Sequence, residues 1–444
     1  MLSLMSLRVK TKNNSLALLT GASRYSEVPI SYQPLRMYTL RPYQQQASDA
    51  GVRFFSGKNG YNAIEVLPTG SGKSLIVADI AHNIEGDTLI LQPSKEILEQ
   101  NYNKMRSYGE ECSIYSASLR SKEISKITFA TIGSVMNDIN SFDHFRNIII
   151  DECHRVNPNG GQYVDFINKC DRKVLGLTAT PYILCSTNTP VKDKSGKPVK
   201  DIFGNCEMQR GAILKFLTRM KNRVFKDVIY HCQVLDLLKL GYLASPTYYD
   251  VTPQEFLQSR LLRNSTGMDF DTESIQSNFH AVGMYSHMVK VVRHLQNPKN
   301  RRKHILVFCQ SISEATGLTQ AVPNCSIVSG ETPMVQREQI LQDFMAGKIH
   351  VLANVGVLTT GFDFPALDTV VMARPTMSLS LYYQIVGRLL RPYEGKEPWF
   401  IDTCGNIRRF GKVENLWIDC PQRGMWRIRG YVGGIWTQLT NIFF

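Results

Sequence analysis

The 444-residue chain carries little of what anchors, staples or strings a protein together. Its ten cysteines are scattered, with no C-x-x-C pair and no cysteine–histidine cluster at zinc spacing, so neither a disulfide framework nor a structural zinc site is indicated. They read instead as small apolar residues buried in a reducing compartment. No run approaches the roughly 18 consecutive apolar residues that cross a bilayer. There is no internal repeat, no low-complexity block and no coiled-coil heptad. Met1 to Lys12 mixes apolar and basic residues without a signal-length apolar core or a small-residue cleavage site. A soluble cytoplasmic protein with no membrane partner is therefore expected. Acidic side chains are also in short supply: 38 Asp and Glu face 51 Lys and Arg, a formal net charge of +13. That imbalance favours a polyanionic partner, most simply nucleic acid, over the alternative of a generally basic proteome. At 43% apolar residues there is material for real cores, and the length suits two or three domains of about 100–200 residues.

Against these absences stands one informative stretch, Pro68-Thr69-Gly70-Ser71-Gly72-Lys73-Ser74. It follows the apolar run Ile64 to Leu67 and precedes a helical segment from Leu75 to His82. A strand, a glycine-rich turn and a helix in that order make a cradle for polyphosphate, because successive backbone N–H groups and the positive helix end point at the phosphates. Lys73 is placed to reach the β- and γ-phosphates of ATP and Ser74 to hold Mg²⁺. Leu67 stands where the general pattern has a first glycine. A merely flexible Gly/Ser loop is the plain alternative. Asp151-Glu152-Cys153-His154 follows the apolar strand Ile148-Ile149-Ile150, so its carboxylates lie at the carboxyl end of a strand, beside the crevice where such sheets bind ligands. Asp151 there would bind the metal and Glu152 would orient or deprotonate the attacking water. Arg388 and Arg391, three apart on an expected helix from Leu381 to Leu390, would meet the same phosphates.

Short β-branched runs alternate with helical patterns from about Leu40 to Pro181 and again from about Ser245, which predicts parallel sheets wrapped by helices. Between them the spacing predicts an exposed hairpin around Val191 to Val199 and two helices, Glu207 to Lys221 and Val228 to Leu240. Further helices are expected over Phe256 to Leu262 and Ile275 to Leu295. The division is residues 1–36 as a small extension, 37–245 as a first lobe with a hairpin insertion near 185–205, 246–410 as a second lobe, and 411–444 as a tail rich in tryptophan and arginine packing on the second lobe.

Taken together these segments resemble a superfamily 2 helicase. The phosphate loop matches its first motif and Asp151 to His154 its acidic box. Leu40-Arg41-Pro42-Tyr43-Gln44 is similar to the adenine-reading element, with Gln44 as the base contact. Pro93-Ser94-Lys95, Thr131 with Gly133 and Ser134, Gln310-Ser311 and Thr360 fall on the segments that hold the nucleic-acid backbone. Thr178 and Thr180, with His154 and Gln384, fall on those that couple hydrolysis to movement. Gly361 and Asp363 join Arg41, Gln44, Thr69, Gly70, Ser71, Gly72, Lys73 and Ser74 around the nucleotide. The resemblance implies two RecA-like lobes with ATP and Mg²⁺ between them, and Arg388 and Arg391 as fingers from the second. The spelling is most like Rad25/XPB-like and phage UvsW-like enzymes. That implies a monomeric ATP-dependent DNA helicase or translocase on forked or branched DNA, working beside replication or recombination proteins. The hairpin near Ser195 and the basic run near Arg301 are candidate DNA-separating or DNA-gripping elements. An RNA helicase or RNA-stimulated ATPase, and a binding module with a decayed motor, remain as alternatives.

Overall fold

The computed structural model describes residues 38–441 apart from 59, 170, 192, 194, 196, 301 and 360. The expected N-terminal extension, Arg301 and Thr360 thus lie outside the described residues. Seven strands follow the first helix, Pro42–Ser56: β1 (Asn62–Val66), β2 (Thr88–Gln92), β3 (Ser113–Ser116), β4 (Ser121–Lys122), β5 (Ile127–Thr131), β6 (Asn147–Asp151) and β7 (Lys173–Thr178). A long antiparallel pair comes next, β8 (Tyr182–Pro190) with β9 (Met208–Phe216), then β10 (Phe225–His231). The first sheet has the order β10-β1-β7-β6-β2-β5-β3-β4, with only the β3–β4 pair antiparallel. The second sheet is wholly parallel: β11 (Thr247–Asp250), β12 (Ile305–Cys309), β13 (Cys325–Val328), β14 (Val351–Asn354), β15 (Thr369–Ala373) and β16 (Trp399–Asp402), in the order β11-β16-β15-β12-β14-β13. Central strands such as β6 and β12 are buried along their whole length, as strands covered by helices on both faces must be. The α/β architecture expected from alternation is what the chain adopts.

Four local expectations fail, each for a physical reason. Within residues 207–221, Met208–Phe216 form β9 and only Leu217–Arg219 makes a 3₁₀ turn, because nine register pairs with β8 outweigh a weak helical spacing broken by Gly211. The β-branched run at Val228-Ile229 likewise belongs to β10, which pairs in parallel with β1, and only Val234–Lys239 is helical. Phe256 to Leu262 keeps just one 3₁₀ turn, Gln258–Arg260. The helix expected over Ile275 to Leu295 is two, Thr272–Ala281 and Met284–Leu295, parted at Gly283, whose φ of 64° is left-handed.

The tail forms a three-stranded antiparallel sheet, β17 (Trp417–Asp419), β18 (Arg427–Val432) and β19 (Ile435–Gln438). Expected on the second lobe alone, it reaches both. On the second-lobe side Tyr382 donates to the Gly411 carbonyl at 2.7 Å and Tyr248 to Glu414 at 2.8 Å. On the other side Gln233 exchanges two hydrogen bonds with the Ile418 backbone, 2.7 and 3.1 Å. Trp426 donates to Asp227 at 2.9 Å and stacks on Phe216. A continuous apolar core accordingly runs from Ile64, Leu89 and Ile148 through Ile418 and Ile428 to Leu306 and Val370.

Candidate active site

At the carboxyl end of β1 the chain turns through Gly70 and Gly72, with φ of 83° and 81°, into helix Lys73–Asn83. Only glycine takes these conformations without strain. Gly72 has a second reason: a Cβ there would fall 2.5 Å from the Gln44 amide nitrogen. Gln44 is buried against the back of this loop, donating to the Ser71 carbonyl at 2.9 Å and accepting from the Arg41 N–H at 2.9 Å. Tyr43 donates to the same Ser71 carbonyl at 2.6 Å, and the Arg41 guanidinium lies 4.5 Å above the Tyr242 ring. Arg41, Gln44 and Ser71 therefore brace the loop from behind and do not line the cleft in front of it.

That cleft is lined on one side by Thr69, Gly70, Gly72, Lys73, Ser74, Asp151 and Glu152 and on the other by Gly361, Asp363, Gln384, Arg388 and Arg391. The Lys73 ammonium is 3.9 Å from Glu152, whose backbone is itself left-handed at φ 50°, an uncommon conformation for a non-glycine residue. Burial opposes charge on Glu152, but Lys73, His154 and Arg388 outweigh it and hold the carboxyl below its usual range. Burial, reinforced by the neighbouring Glu152 charge, moves Asp151 upward. Burial also lowers Arg388, with the like charge of Arg391 adding to it.

The helix expected to carry both arginines ends at Gly387, where Arg388, Leu389 and Leu390 switch to i→i−3 bonds to Ile385, Val386 and Gly387. Arg388 caps that helix and Arg391 follows its last turn, yet both converge on the cleft. Arg388 donates to the Phe362 carbonyl at 2.6 Å and to the Thr359 carbonyl, while Arg391 pairs with Asp363 at 2.6 Å. A Cβ on Gly70 would lie 3.6 Å from Arg391, so the phosphate loop and the arginine-bearing wall are adjacent. His154 gathers the remaining groups: Thr178 at 3.0 Å, Thr180 at 3.2 Å and Glu152 at 3.3 Å on Nδ1, and Gln384 from the opposite wall at 3.3 Å on Nε2.

Three cleft residues escaped the sequence reading, Gln100, Asn101 and Lys104, on helix Lys95–Ser107. With Ile97 they fall at i, i+3, i+4 and i+7 on one helical face, but no motif marks that face in the sequence. Asn101 accepts from Ser74 Oγ at 2.7 Å and donates to Asp151 at 3.3 Å and Gln92 at 3.1 Å. Gln100 reaches across to Asp363 at 3.1 Å. Ser74 and Asp151, two hard oxygen donors joined through one amide and open to the cleft, fit Mg²⁺, which needs only one or two protein oxygens and keeps its waters.

The residues assigned to nucleic-acid backbone lie apart from this cleft, at the carboxyl ends of β2, β5 and β12. Ser94 and Ser311 are N-caps, accepting from Ile97 at 3.4 Å and Glu314 at 3.2 Å. Thr131 and Ser134 share a hydrogen bond of 3.0 Å, and Gly133 faces open space. Pro93 accepts from Arg155 at 3.2 Å, Lys95 meets the Met334 sulfur across the lobes at 2.7 Å, and the Gln310 N–H donates to Glu314 at 3.2 Å.

A two-lobed α/β fold with a phosphate loop on one wall and two guanidiniums on the other defines a nucleotide-driven motor class. Residues 37–183 match the family described as type III restriction enzyme, res subunit, and residues 286–393 match the helicase conserved C-terminal domain. The chain belongs to the superfamily 2 helicases, and Rad25/XPB-group proteins are among its relatives. It is 24% identical over 381 residues to IRC3 of Saccharomyces cerevisiae, covering 81% of this chain and 50% of that protein. A 51.5 kDa protein of a Lactococcus phage is 24% identical over 373 residues, 82% of this chain and 70% of that one. The DNA 3′-5′ translocase XPB2 of Sulfurisphaera tokodaii is 24% identical over 381 residues, 79% and 78% of the two chains. The fold resembles the type ISP restriction-modification enzyme LlaBIII bound to DNA, with a TM-score of 0.53 at 16% identity over 83% of this chain and 28% of that one. Dbp5 of S. cerevisiae bound to RNA and ADP BeF3 gives 0.50 at 13% identity, over 82% and 83%. The chain thus spans about half the length of the IRC3 relative. Among the described residues no helix is long and apolar enough to cross a membrane.

Proposed function

We propose that this helicase is an ATP-dependent DNA helicase or translocase that remodels forked or branched DNA in the cytoplasm. The observation that carries the reading is the pairing of walls: Lys73, Asp151 and Glu152 face Arg388 and Arg391 across one cleft. Thr69 to Ser74 hold the triphosphate, with Arg41 and Gln44 bracing the loop behind it. Ser74 and Asp151 hold Mg²⁺, which when bound offsets charge on the phosphates. Glu152, kept anionic by Lys73, takes the proton of the attacking water. Arg388 and Arg391 leave their carbonyl and carboxylate partners for the transferring phosphoryl group, a role worth roughly 10³–10⁵ in rate in nucleotide hydrolases. His154, Thr178, Thr180 and Gln384 connect that event to the opposite wall. The small polar groups at Ser94, Thr131, Ser134 and Ser311 hold phosphates without reading sequence, which suits a motor that moves along any strand. DNA rather than RNA is favoured by the relatives named for a DNA helicase and a DNA translocase. The test is ATP turnover with and without forked DNA and with an RNA duplex. DNA-stimulated turnover abolished by Glu152→Gln supports the reading; stimulation by RNA alone, or turnover indifferent to that substitution, overturns it.

A further inference from the structure

The tail sheet, β17 to β19, presents two unlike faces. Its inner face is apolar and closed, with Ile418 and Ile428 buried in the core shared with both lobes. Because strand side chains alternate, the residues between these point outward. Register fixes which of them are neighbours: Trp417 lies opposite Arg429, Arg429 opposite Gln438, and Tyr431 opposite Trp436. Gly433 and Gly434, with φ of 58° and 87°, turn β18 into β19 in two residues and so set that register.

The outer face carries rings and guanidiniums. Trp436 is 51% exposed and Tyr431 42%, with ring centroids 5.7 Å apart, and the Arg429 guanidinium lies 5.5 Å from the Trp436 ring. Arg427 pairs with Asp419 at 2.7 and 3.2 Å, and Arg429 lies 3.2 Å from the same carboxylate. Arg423, in the loop before β18, is exposed. Within residues 416–440 three arginines thus face a single carboxylate. Trp426 shows the contrast: its ring stacks on Phe216 and its N–H donates to Asp227, so that tryptophan serves the fold. A cross-strand aromatic pair steadies a hairpin, but it does not require half of an indole to stand in water beside a guanidinium.

The chemistry selects one occupant. Every base has a π-face that stacks on an aromatic ring, and each is followed by a phosphate for a guanidinium, so rings and cations interleaved on an open sheet suit a single strand. A duplex keeps its base faces closed. A protein partner favours an interface core depleted of charge, whereas here Arg429 stands between Trp417 and Trp436. We propose that the outer face of this sheet is a strand-binding platform, on which Trp436, Tyr431 and Trp417 stack bases of single-stranded DNA while Arg423 and Arg429 take phosphates. It rests on the reading of the chain as one that acts on DNA. It adds a grip outside the two walls of the nucleotide cleft and apart from the small polar groups at Ser94, Thr131, Ser134 and Ser311. A strand held there stays bound while the cleft exchanges ADP for ATP.

The test uses the full chain without nucleotide. Wild type is compared with Trp436→Leu, which keeps an apolar strand residue but no π-face, and with Trp436→Phe, which keeps a ring. Anisotropy of a labelled oligothymidine strand gives the affinity, and an abasic strand of equal length reports the phosphates alone. Trp436→Leu should bind oligothymidine about fivefold or more weakly, Trp436→Phe within about twofold of wild type, and all three should bind the abasic strand alike. In wild type, 5-iodouracil in the strand should crosslink on irradiation to a peptide within residues 417–438, a readout independent of any substitution. Unaltered oligothymidine affinity in Trp436→Leu, an equal loss on the abasic strand, or crosslinks confined to other peptides overturns the platform. Wild-type DNA affinity in Trp436→Leu with loss of self-association in light scattering, or of a bound protein, makes the face a protein docking surface instead. The motor reading fails separately: ATP turnover indifferent to DNA sinks it, while a strand affinity that depends on Trp436 still stands for this face.

Discussion

Gly387 offers a sharp test of how closely the two walls of the cleft must meet. It ends the helix that carries Gln384 and lies directly against Thr69 of the phosphate loop. A Cβ at Gly387 would stand 3.0 Å from Thr69 Cβ and 3.1 Å from its Cγ2 and Oγ1, against about 3.5–4.0 Å for comfortable carbon contact. Gly387→Ala therefore forces the walls apart by roughly half an ångström or strains them together. Overpacking of this kind costs about 1–3 kcal/mol, which as a bias against the closed cleft is about 5- to 150-fold. The alanine itself suits a helical position, by up to about 1 kcal/mol over glycine, so the fold is not expected to weaken. The assays are steady-state ATP turnover, ADP affinity by fluorescence titration, and urea unfolding. The expected result is turnover reduced about 5- to 150-fold with ADP affinity within about twofold and an unshifted unfolding midpoint. Wild-type turnover in the alanine variant would refute the close approach as a requirement for hydrolysis.

Two further outcomes follow from side chains near the loop. Glu65 in β1 is fully buried with both carboxylate oxygens unpartnered among the described residues, and burial pushes its carboxyl well above the ordinary value of 4.5. The folded chain keeps that proton where the unfolded chain releases it, so stability is full below pH 4.5 and falls as pH rises above it, by up to about 1.4 kcal/mol per pH unit until the folded group titrates. Urea midpoints between pH 5.5 and 7.5 should show this slope in wild type and a shallower one in Glu65→Gln, which should be the more stable at pH 7.5; equal slopes contradict it. Asn101→Ala removes the amide that joins Ser74 to Asp151, and a hydrogen bond to a charged group is worth about 1.5–3 kcal/mol, or roughly tenfold and more. Titrating Mg²⁺ into nucleotide and protein should show a requirement about tenfold higher, with nucleotide binding in EDTA unchanged; an unaltered Mg²⁺ requirement sinks the assignment.

Much of the cleft was legible because its residues sit in short covalent strings. Thr69 to Ser74 and Asp151 to His154 announce themselves through glycines, a lysine and carboxylates placed directly after apolar strands. Arg388 and Arg391 were also legible, although for the wrong geometric reason: the helix ends at Gly387, and they converge from the turns that follow it. What could not be read were groups united only by the tertiary fold. Asn101 has no motif of its own, and its meaning comes from Ser74 and Asp151 arriving at its amide. Gln44 is a base contact by the resemblance, and the fold adds its hold on the Ser71 carbonyl, which no local pattern shows. The ribbon β8–β9 was visible only at its turns, since its strands depend on long-range pairing that local spacing does not encode. The tail that holds Trp426 was expected on the second lobe, and this tryptophan's partners Phe216 and Asp227 are about two hundred residues away in sequence.

The central claim is that one nucleotide is worked on from both walls, and Arg388→Ala tests it most directly. Turnover on forked DNA and the affinity for a fluorescent ATP analogue are measured side by side. The account predicts turnover lower by about 10³-fold or more with nucleotide still bound through the Lys73 wall. Turnover near the wild-type rate, with Arg388 gone, would contradict it.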